Sequence, residues 1–243
     1  TINLELTFSD LGIIEKRQAR ITASLPKLRG AEREAHEREA VLLARLKAAL
    51  EAGEPLRAVE MTPDEAKSLR GFGFLTGKPM LILINLGEDQ LGEAGAALLA
   101  EARARFAGPR LEIEALAGKI EMEIGQLDPA DAAVFMADLG IAESGLDRVI
   151  RLSYDLLGLI SFLTAGPDEC RAWPIPRGTV AQEAAGVIHS DLARGFIRAE
   201  TVGYEDLVTL GSTAEARKAG RLRSEGKTYR VRDGDVLEIL FSR

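Results

Sequence analysis

A chain of 243 residues, 46% apolar and 28% charged, is long enough for more than one hydrophobic core and has the balance of an ordinary globular protein. No apolar run approaches the ~18 uninterrupted residues of a membrane helix, and the start lacks the basic and apolar blocks of a signal peptide, which points to the cytoplasm and away from a membrane. One cysteine, Cys170, excludes an internal disulfide and a thiolate cluster, and with only His36 and His189 besides there is no ligand set for zinc.

Charge is unevenly divided. Residues 1–50 carry nine Lys/Arg against seven Asp/Glu and residues 161–243 twelve of each, so the middle supplies the acidic excess behind the net charge of −7. Within residues 14–50 there are nine basic and five acidic side chains. Arg29, Arg33 and Arg38 are candidates there for phosphate-backbone contact through counterion release; a solvated helical face is the plainer reading of the same residues.

The first block, Ser9 to about Leu50, has helical texture. Leu11, Ile14, Ile21, Leu25 and Leu28 recur at helical spacings, as do Val41, Leu42, Leu46 and Leu50. Pro26 should end or kink the first helix, and Arg29-Gly30 is a turn, which together predict an antiparallel hairpin resembling a two-stranded coiled coil. Thr62-Pro63-Asp64-Glu65 combines a capping residue, a proline at the first helical position and acids in the first turn, so a short helix begins there. Met80 to Ile84 is a continuous apolar run of the kind found in a strand covered on both faces, followed at once by Asn85-Leu86-Gly87-Glu88. A helix is predicted from about Leu91 to Phe106, stopped by Gly108-Pro109, and a strand from Leu111 to Leu116, followed by Ala117-Gly118-Lys119. Loops just beyond the carboxyl ends of parallel strands are where open α/β sheets bind ligands.

Residues 122–160 read as mostly helical, with Asp128-Pro129 opening one helix, Gly140 closing it, and Ser144-Gly145 opening the next. The acids Asp128, Asp131, Asp138 and Glu143 lack metal-ligand spacing and read as a solvated face. Beyond Leu159 the chain becomes rich in β-residues and turns. A hairpin is expected from Leu159–Leu163 and Glu169–Trp173 across Ala165-Gly166-Pro167. A helix should follow at Thr179–Ile188, a strand at Phe196–Val202, short helices at Tyr204–Leu210 and Thr213–Ala219, and closing strands at Tyr229–Val231 and Val236–Phe241 joined by a hairpin turn at Arg232-Asp233-Gly234-Asp235. This is the pattern of a small β-grasp domain. His189, in Ile188-His189-Ser190-Asp191, reads as a helix-terminal histidine bonding the loop at Asp191, because adjacent positions rarely give the geometry of a catalytic triad. Trp173 and Phe196 read as core anchors. Arg171, Arg177, Arg194 and Arg198 are candidates for an RNA-facing surface.

The run TAGPDECRAWPIPRGTVAQEAAGVIHSDLARGFIRAE from Thr164, with EGKTYRVRDGDVLEILFSR at the C-terminus, closely resembles the TGS domain that ends the YchF or Obg-like ATPase family of P-loop NTPases. That resemblance covers essentially the whole chain. It implies an α/β fold: the distal half of a P-loop G domain carrying an inserted α-helical coiled-coil hairpin, then a β-grasp TGS domain. The expected divisions are 1–60, 61–158 and 159–243. It further implies a parent that binds and hydrolyses ATP, with GTP less favoured, using Mg²⁺, and that engages RNA or the large subunit of the ribosome as a monomer. The family replaces the guanine-reading NKxD tetrad by NxxE, here NLGE. By that resemblance Asn85 meets the base edge, Leu86 contacts adenine and Glu88 shapes the loop, while Ala117, Gly118 and Lys119 align with the SAK-type loop that packs on the base. The serine of that loop is absent.

A phosphate-binding loop reads GxxxxGK[ST], because glycines let backbone N–H groups crowd the phosphates. The Gly-Lys pairs here are Gly77-Lys78, Gly118-Lys119 and Gly226-Lys227; the first two lack a following Ser/Thr, and none has a glycine five places earlier, Arg221 standing there for the last. The chain is therefore expected to be the C-terminal portion of such a protein, with no catalytic residue of its own. A non-enzymatic module that clamps RNA between hairpin and β-grasp domain is the alternative.

Overall fold

The apolar spacing of the first block does produce two helices. A computed structural model describes residues 2–166 and 169–242. It places α1 at Ile2–Ser24, a 3-10 turn at Leu25–Lys27 around Pro26, and α2 at Gly30–Glu51. Gly30 sits at φ +55°, the left-handed conformation that lets the chain reverse. The helices run antiparallel, since Arg17 meets Glu39 and Glu15 meets Lys47. Ile14, Ile21, Leu42, Leu43, Leu46 and Leu50 are buried between them and their surroundings. Val41, expected inside, is 73% exposed. At roughly 100° per residue it lies almost opposite the centre of the Leu42, Leu43, Leu46 and Leu50 stripe, and Leu43 takes its place.

The chain divides into two compact units, Thr1–Gly145 and Leu146–Arg243. In the first, Thr62 caps α3 (Pro63–Leu69) with the reciprocal bonds of a capping box, its hydroxyl accepting from Glu65 N and its N–H donating to the Glu65 carboxylate. β1 (Met80–Asn85) and β2 (Leu111–Leu116) form a parallel pair in which Met80 faces Leu111 and Asn85 faces Leu116. The crossover is α4, Glu93–Phe106, whose Gly95 lies against Leu86 and the Gln90 carbonyl so closely that a Cβ would collide with both. After β2 come α5 (Gly118–Ile124) and α6 (Pro129–Asp138). Asp128 caps α6 by accepting from Ala130 N and Asp131 N, and Gly140 at φ +68° closes it with Ile141 N bonded back to Met136 O.

The second unit contains most of α7 (Gly145–Leu157) and a five-stranded mixed sheet in the order β4-β3-β7-β5-β6. β3 (Leu159–Ala165) and β4 (Cys170–Pro176) form the expected antiparallel hairpin; Pro167 of its turn lies outside the described residues. β5 is Phe196–Gly203, β6 is Arg223–Glu225 and β7 is Asp235–Phe241. α8 (Ala181–Ile188) packs Ala181, Ala184 and Ala185 on one face of the sheet with Ile160, Phe162, Ile175, Phe196, Ala199 and Leu237. α9 is Ser190–Arg194. α10 (Tyr204–Leu210) and α11 (Thr213–Lys218) close a second core with Val202, Val236 and Leu163. Trp173 stacks beside Phe162 and donates its indole N–H to Thr164. As an edge strand, β4 is blunted: Pro174 and Pro176, in register with Ser161 and Leu159, offer no outward N–H for another chain to pair with.

Two expectations fail here. Tyr229–Val231 makes no strand, only an isolated bridge from Arg230 to Val180, because Tyr229 is turned to bond Asp235 and the paired position beside β5 goes to Arg223–Glu225. Arg232–Asp235 is a turn but not a hairpin. It is bound to β3 through Gly234 N to Ser161 O and Ser161 N to the Asp233 carboxylate, and it delivers β7 between β3 and β5.

Candidate functional site

Because β1 and β2 are parallel and in register, their carboxyl ends coincide, and the two loops singled out from sequence meet there. The Asn85 side-chain oxygen accepts from Gly118 N at 3.0 Å. Leu86 N continues the ladder by one bond to Leu116 O. A Cβ at Gly118 would lie 3.0 Å from that Asn85 oxygen, a tight contact that would press on the Asn85 amide. Lys119 pairs with Glu88, closing one loop onto the other by a charge-assisted bond that raises the lysine pKa. Both groups are exposed, at 66% and 53%. The turn beneath them is fixed by Gln90, whose amide oxygen accepts from Gly87 N.

The six residues are not equivalent. Asn85, Glu88 and Lys119 are exposed at the strand ends. The Leu86 and Ala117 side chains face the other way, into a core with Ala115, Ile120 and Ile124. What these two can offer a ligand is backbone. The whole is a short exposed rim of backbone polar groups, one amide side chain and a self-neutralised ion pair, suited to a flat heterocycle and not to a multiply charged group. Among the described residues no cluster of His, Cys, Asp or Glu could hold a metal ion. An open groove along α2 and α3 lies elsewhere, between Arg17, Arg38, Val41, Arg45, Glu65 and Phe72. Its arginines are paired with Glu39, Glu34 and Glu65.

A family model described as YchF-GTPase_C, protein of unknown function (DUF933), matches residues 159–242. The whole chain is 44% identical to the Ribosome-binding ATPase YchF of Bacillus subtilis (strain 168), spanning 65% of that protein's length. It is 38% identical over 241 residues to the Ribosome-binding ATPase YchF of Escherichia coli O157:H7, again spanning 65%. Over essentially its whole length the chain is similar to YchF proteins. Its fold agrees: the solved structure of the Schizosaccharomyces pombe YchF GTPase superimposes with a TM-score of 0.83 at 26% identity, covering 98% of this chain and 64% of that one. The chain thus spans just under two thirds of these family members' length.

The seven arginines proposed from sequence are differently employed. Arg33 pairs with Glu37 and Arg38 with Glu34, each one turn away on α2. Arg29 has no carboxylate partner among the described residues, and its guanidinium bonds the carbonyls of Pro26 and Leu28. In the second unit, Arg177 lies 3.7 Å from Asp155, Arg194 pairs with Asp191, and Arg198 lies 3.8 Å from Glu200. Arg171 covers the Trp173 ring at 4.4 Å. His189 has the expected place: its Nδ1 accepts from Asp191 N at 3.1 Å and caps α9. Sequence reasoning missed Asp10, which is fully buried and accepts from Leu75 N, Thr76 N and the Thr76 hydroxyl. The available signal was an acid among apolar residues inside the helical stretch from Phe8 to Ile14.

Proposed function

We propose that this chain is the base-reading and ribosome- or RNA-engaging portion of a cytoplasmic YchF-type ATPase. In this reading residues 1–60 form the helical hairpin with its entry, 61–158 the distal part of a P-loop G domain, and 159–243 a TGS-type β-grasp domain. The observation that carries it is the meeting of Asn85-Leu86-Gly87-Glu88 with Ala117-Gly118-Lys119 at coincident strand ends, fixed by the Asn85–Gly118 bond. The relatives' names, ribosome-binding ATPase, support the parent activity and the partner.

Adenine over guanine is the preference that the ion pair supports in this reading. A guanine site needs a carboxylate free to accept from the ring N–H and amino group. Glu88 is already engaged by Lys119, leaving backbone carbonyls, which suit an amino donor. The residues present fit a base but not the phosphates and Mg²⁺, for which the chain offers neither a GxxxxGK[ST] loop nor, among the described residues, a metal-ligand cluster. When bound to the complete protein, the metal would neutralise phosphate charge. Here Asn85 and Gly118 shape the base rim, Leu86 and Ala117 contribute backbone to it, and Lys119 holds Glu88.

The chain by itself is therefore catalytically silent. The test combines phosphate release from ATP with saturation-transfer NMR using ATP and GTP. The expected result is no turnover above background, with weak adenine contacts that Gly118→Val abolishes. Turnover by highly purified chain would overturn the silent reading, and adenine contacts surviving in Gly118→Val would overturn the site. A second reading, an RNA- or ribosome-binding module without nucleotide chemistry, is favoured by the cationic end of the hairpin.

A further inference from the structure

Val41 stands exposed outside the hairpin core, on a groove that runs along α2 beside α3. The groove belongs wholly to the first unit. Its α2 positions extend from Glu34 to Arg45, about 17 Å at the usual helical rise. Buried Leu42 lines it together with Phe72, whose ring stacks on Phe74 at 5.1 Å, so Val41 has apolar neighbours there. Small residues keep the groove open: Ala35 on α2, Ser68 on α3, and Gly71, where a Cβ would meet nothing within 4 Å.

Its rim is acidic. Three arginines line the groove against five carboxylates. Each arginine is matched, Arg17 by Glu39, Arg38 by Glu34 and Arg45 by Glu65, which leaves Glu37 and Asp64 in surplus. Glu37 meets Arg33, which is not among the lining residues, in an exposed pair one turn apart on α2. Pairs of that kind contribute little and yield to a better-placed cation. Asp64, in the first turn of α3, makes no ion pair among the described residues. An apolar lining with surplus acid at its edges repels a phosphate backbone and matches a protein segment that carries aliphatic anchors between lysines or arginines. A length of about three helical turns suits a helix laid along it. We propose that the groove between α2 and α3 is a docking site for a short basic amphipathic helix of a protein partner, with Val41, Leu42 and Phe72 receiving its apolar face and Glu37 and Asp64 its cations. The site goes beyond the nucleotide and RNA readings and does not rest on either.

The test uses the whole 243-residue chain and a fluorescein-labelled synthetic peptide of about twelve residues, with leucines at helical spacing and lysines between them. Binding is measured by anisotropy and located by NMR of labelled valine and leucine methyl groups. The expected result is saturable binding that shifts the Val41 and Leu42 methyl resonances. It should weaken about fivefold in Val41→Ser, which alters only an exposed side chain, and about tenfold in Glu37→Lys with Asp64→Lys. If the charge-reversed variant loses helical signal, Glu37→Gln with Asp64→Asn keeps side-chain size and should weaken binding about threefold. Absence of binding, or affinity unchanged in these variants, would overturn the site while leaving the base and RNA readings standing. Methyl shifts confined to α4, α5 and α6 would assign the contact to the acidic middle of the chain instead. Equal binding by a lysine-only peptide of the same charge would remove the apolar anchor, and equal binding by the glutamate counterpart would remove the charge match. An RNA stem-loop that shifts the same methyl groups would replace the protein partner by a phosphate backbone.

Discussion

Asp10 shows how one side chain can bind distant parts of the sequence. Its carboxylate receives two backbone N–H groups and one hydroxyl from Leu75 and Thr76, at 2.6–2.9 Å. Thr76 in turn accepts from Leu56 N. The hairpin is thereby bonded to the loop that leads into β1. Replacing Asp10 by Ala strands two buried donors, each costing about 1–3 kcal/mol, so Asp10→Ala should lose about 3 kcal/mol or more in urea unfolding. Asp10→Asn, which keeps an acceptor, should lose less. Equal midpoints for Ala and wild type would show that these bonds contribute nothing. Gly195 is a second residue-scale constraint, because a Cβ there would lie 2.0 Å from the Ser242 carbonyl oxygen. Both are invisible to local propensity: the glycine reads as a helix end and the aspartate as one more surface acid.

For the elements, the hairpin is the case where electrostatics sets a condition. Arg17 grips Glu39 with two parallel bonds, and this holds the Glu39 carboxyl below its ordinary value of 4.5. A folded-state pKa depressed in this way stabilises the hairpin fully above the ordinary value, and the contribution is lost as pH falls through the depressed one. Thermal unfolding followed from pH 7 to pH 2.5 should therefore show an acid limb beginning near pH 4.5, and Glu39→Gln should flatten it while lowering stability at pH 7. An unchanged acid limb in that variant would assign the acid sensitivity to other carboxylates. The hairpin's existence was legible, since Pro26, Gly30 and two apolar stripes specify it. Its interior was only partly so: the spacing of Val41, Leu42, Leu46 and Leu50 fits several helical faces, and only packing selects Leu43 over Val41.

The whole molecule consists of two units with separate cores. The second closes both of its clusters with residues between Ile160 and Ile239, using α8 and α9 on one face and α10 and α11 on the other. A chain of about 100 residues with such a core is within the usual range for independent folding. Leu146–Arg243 expressed alone should unfold in one cooperative transition by circular dichroism. A broad, non-cooperative melt with dye-binding apolar surface would mean that its core is not self-sufficient.

The order of elements, the caps at Thr62 and Asp128, the strand at Met80–Ile84 and the β-rich C-terminal third all follow from local chemistry: proline and glycine fix the breaks, and periodicity fixes the faces; the expected cover on both faces of Met80–Ile84 does not follow, since Leu83 is 45% exposed. The juxtaposition of Asn85 with Gly118 was legible too, because two strands joined by a helix are constrained to run parallel and to bring their carboxyl ends together. Other features are decided by partners far away in sequence. Tyr229–Val231 has the composition of a strand, yet Arg223–Glu225 takes the place beside β5. Leu86 follows a strand like any exposed loop residue, yet it becomes core once α4 and α5 close over it. Arg17 and Lys16 are neighbours of equal charge, and only the position of Glu39 on the opposite helix makes one a tie within the fold and leaves the other free. Such choices depend on which group across the fold reaches a given atom first, and tertiary structure alone sets that distance.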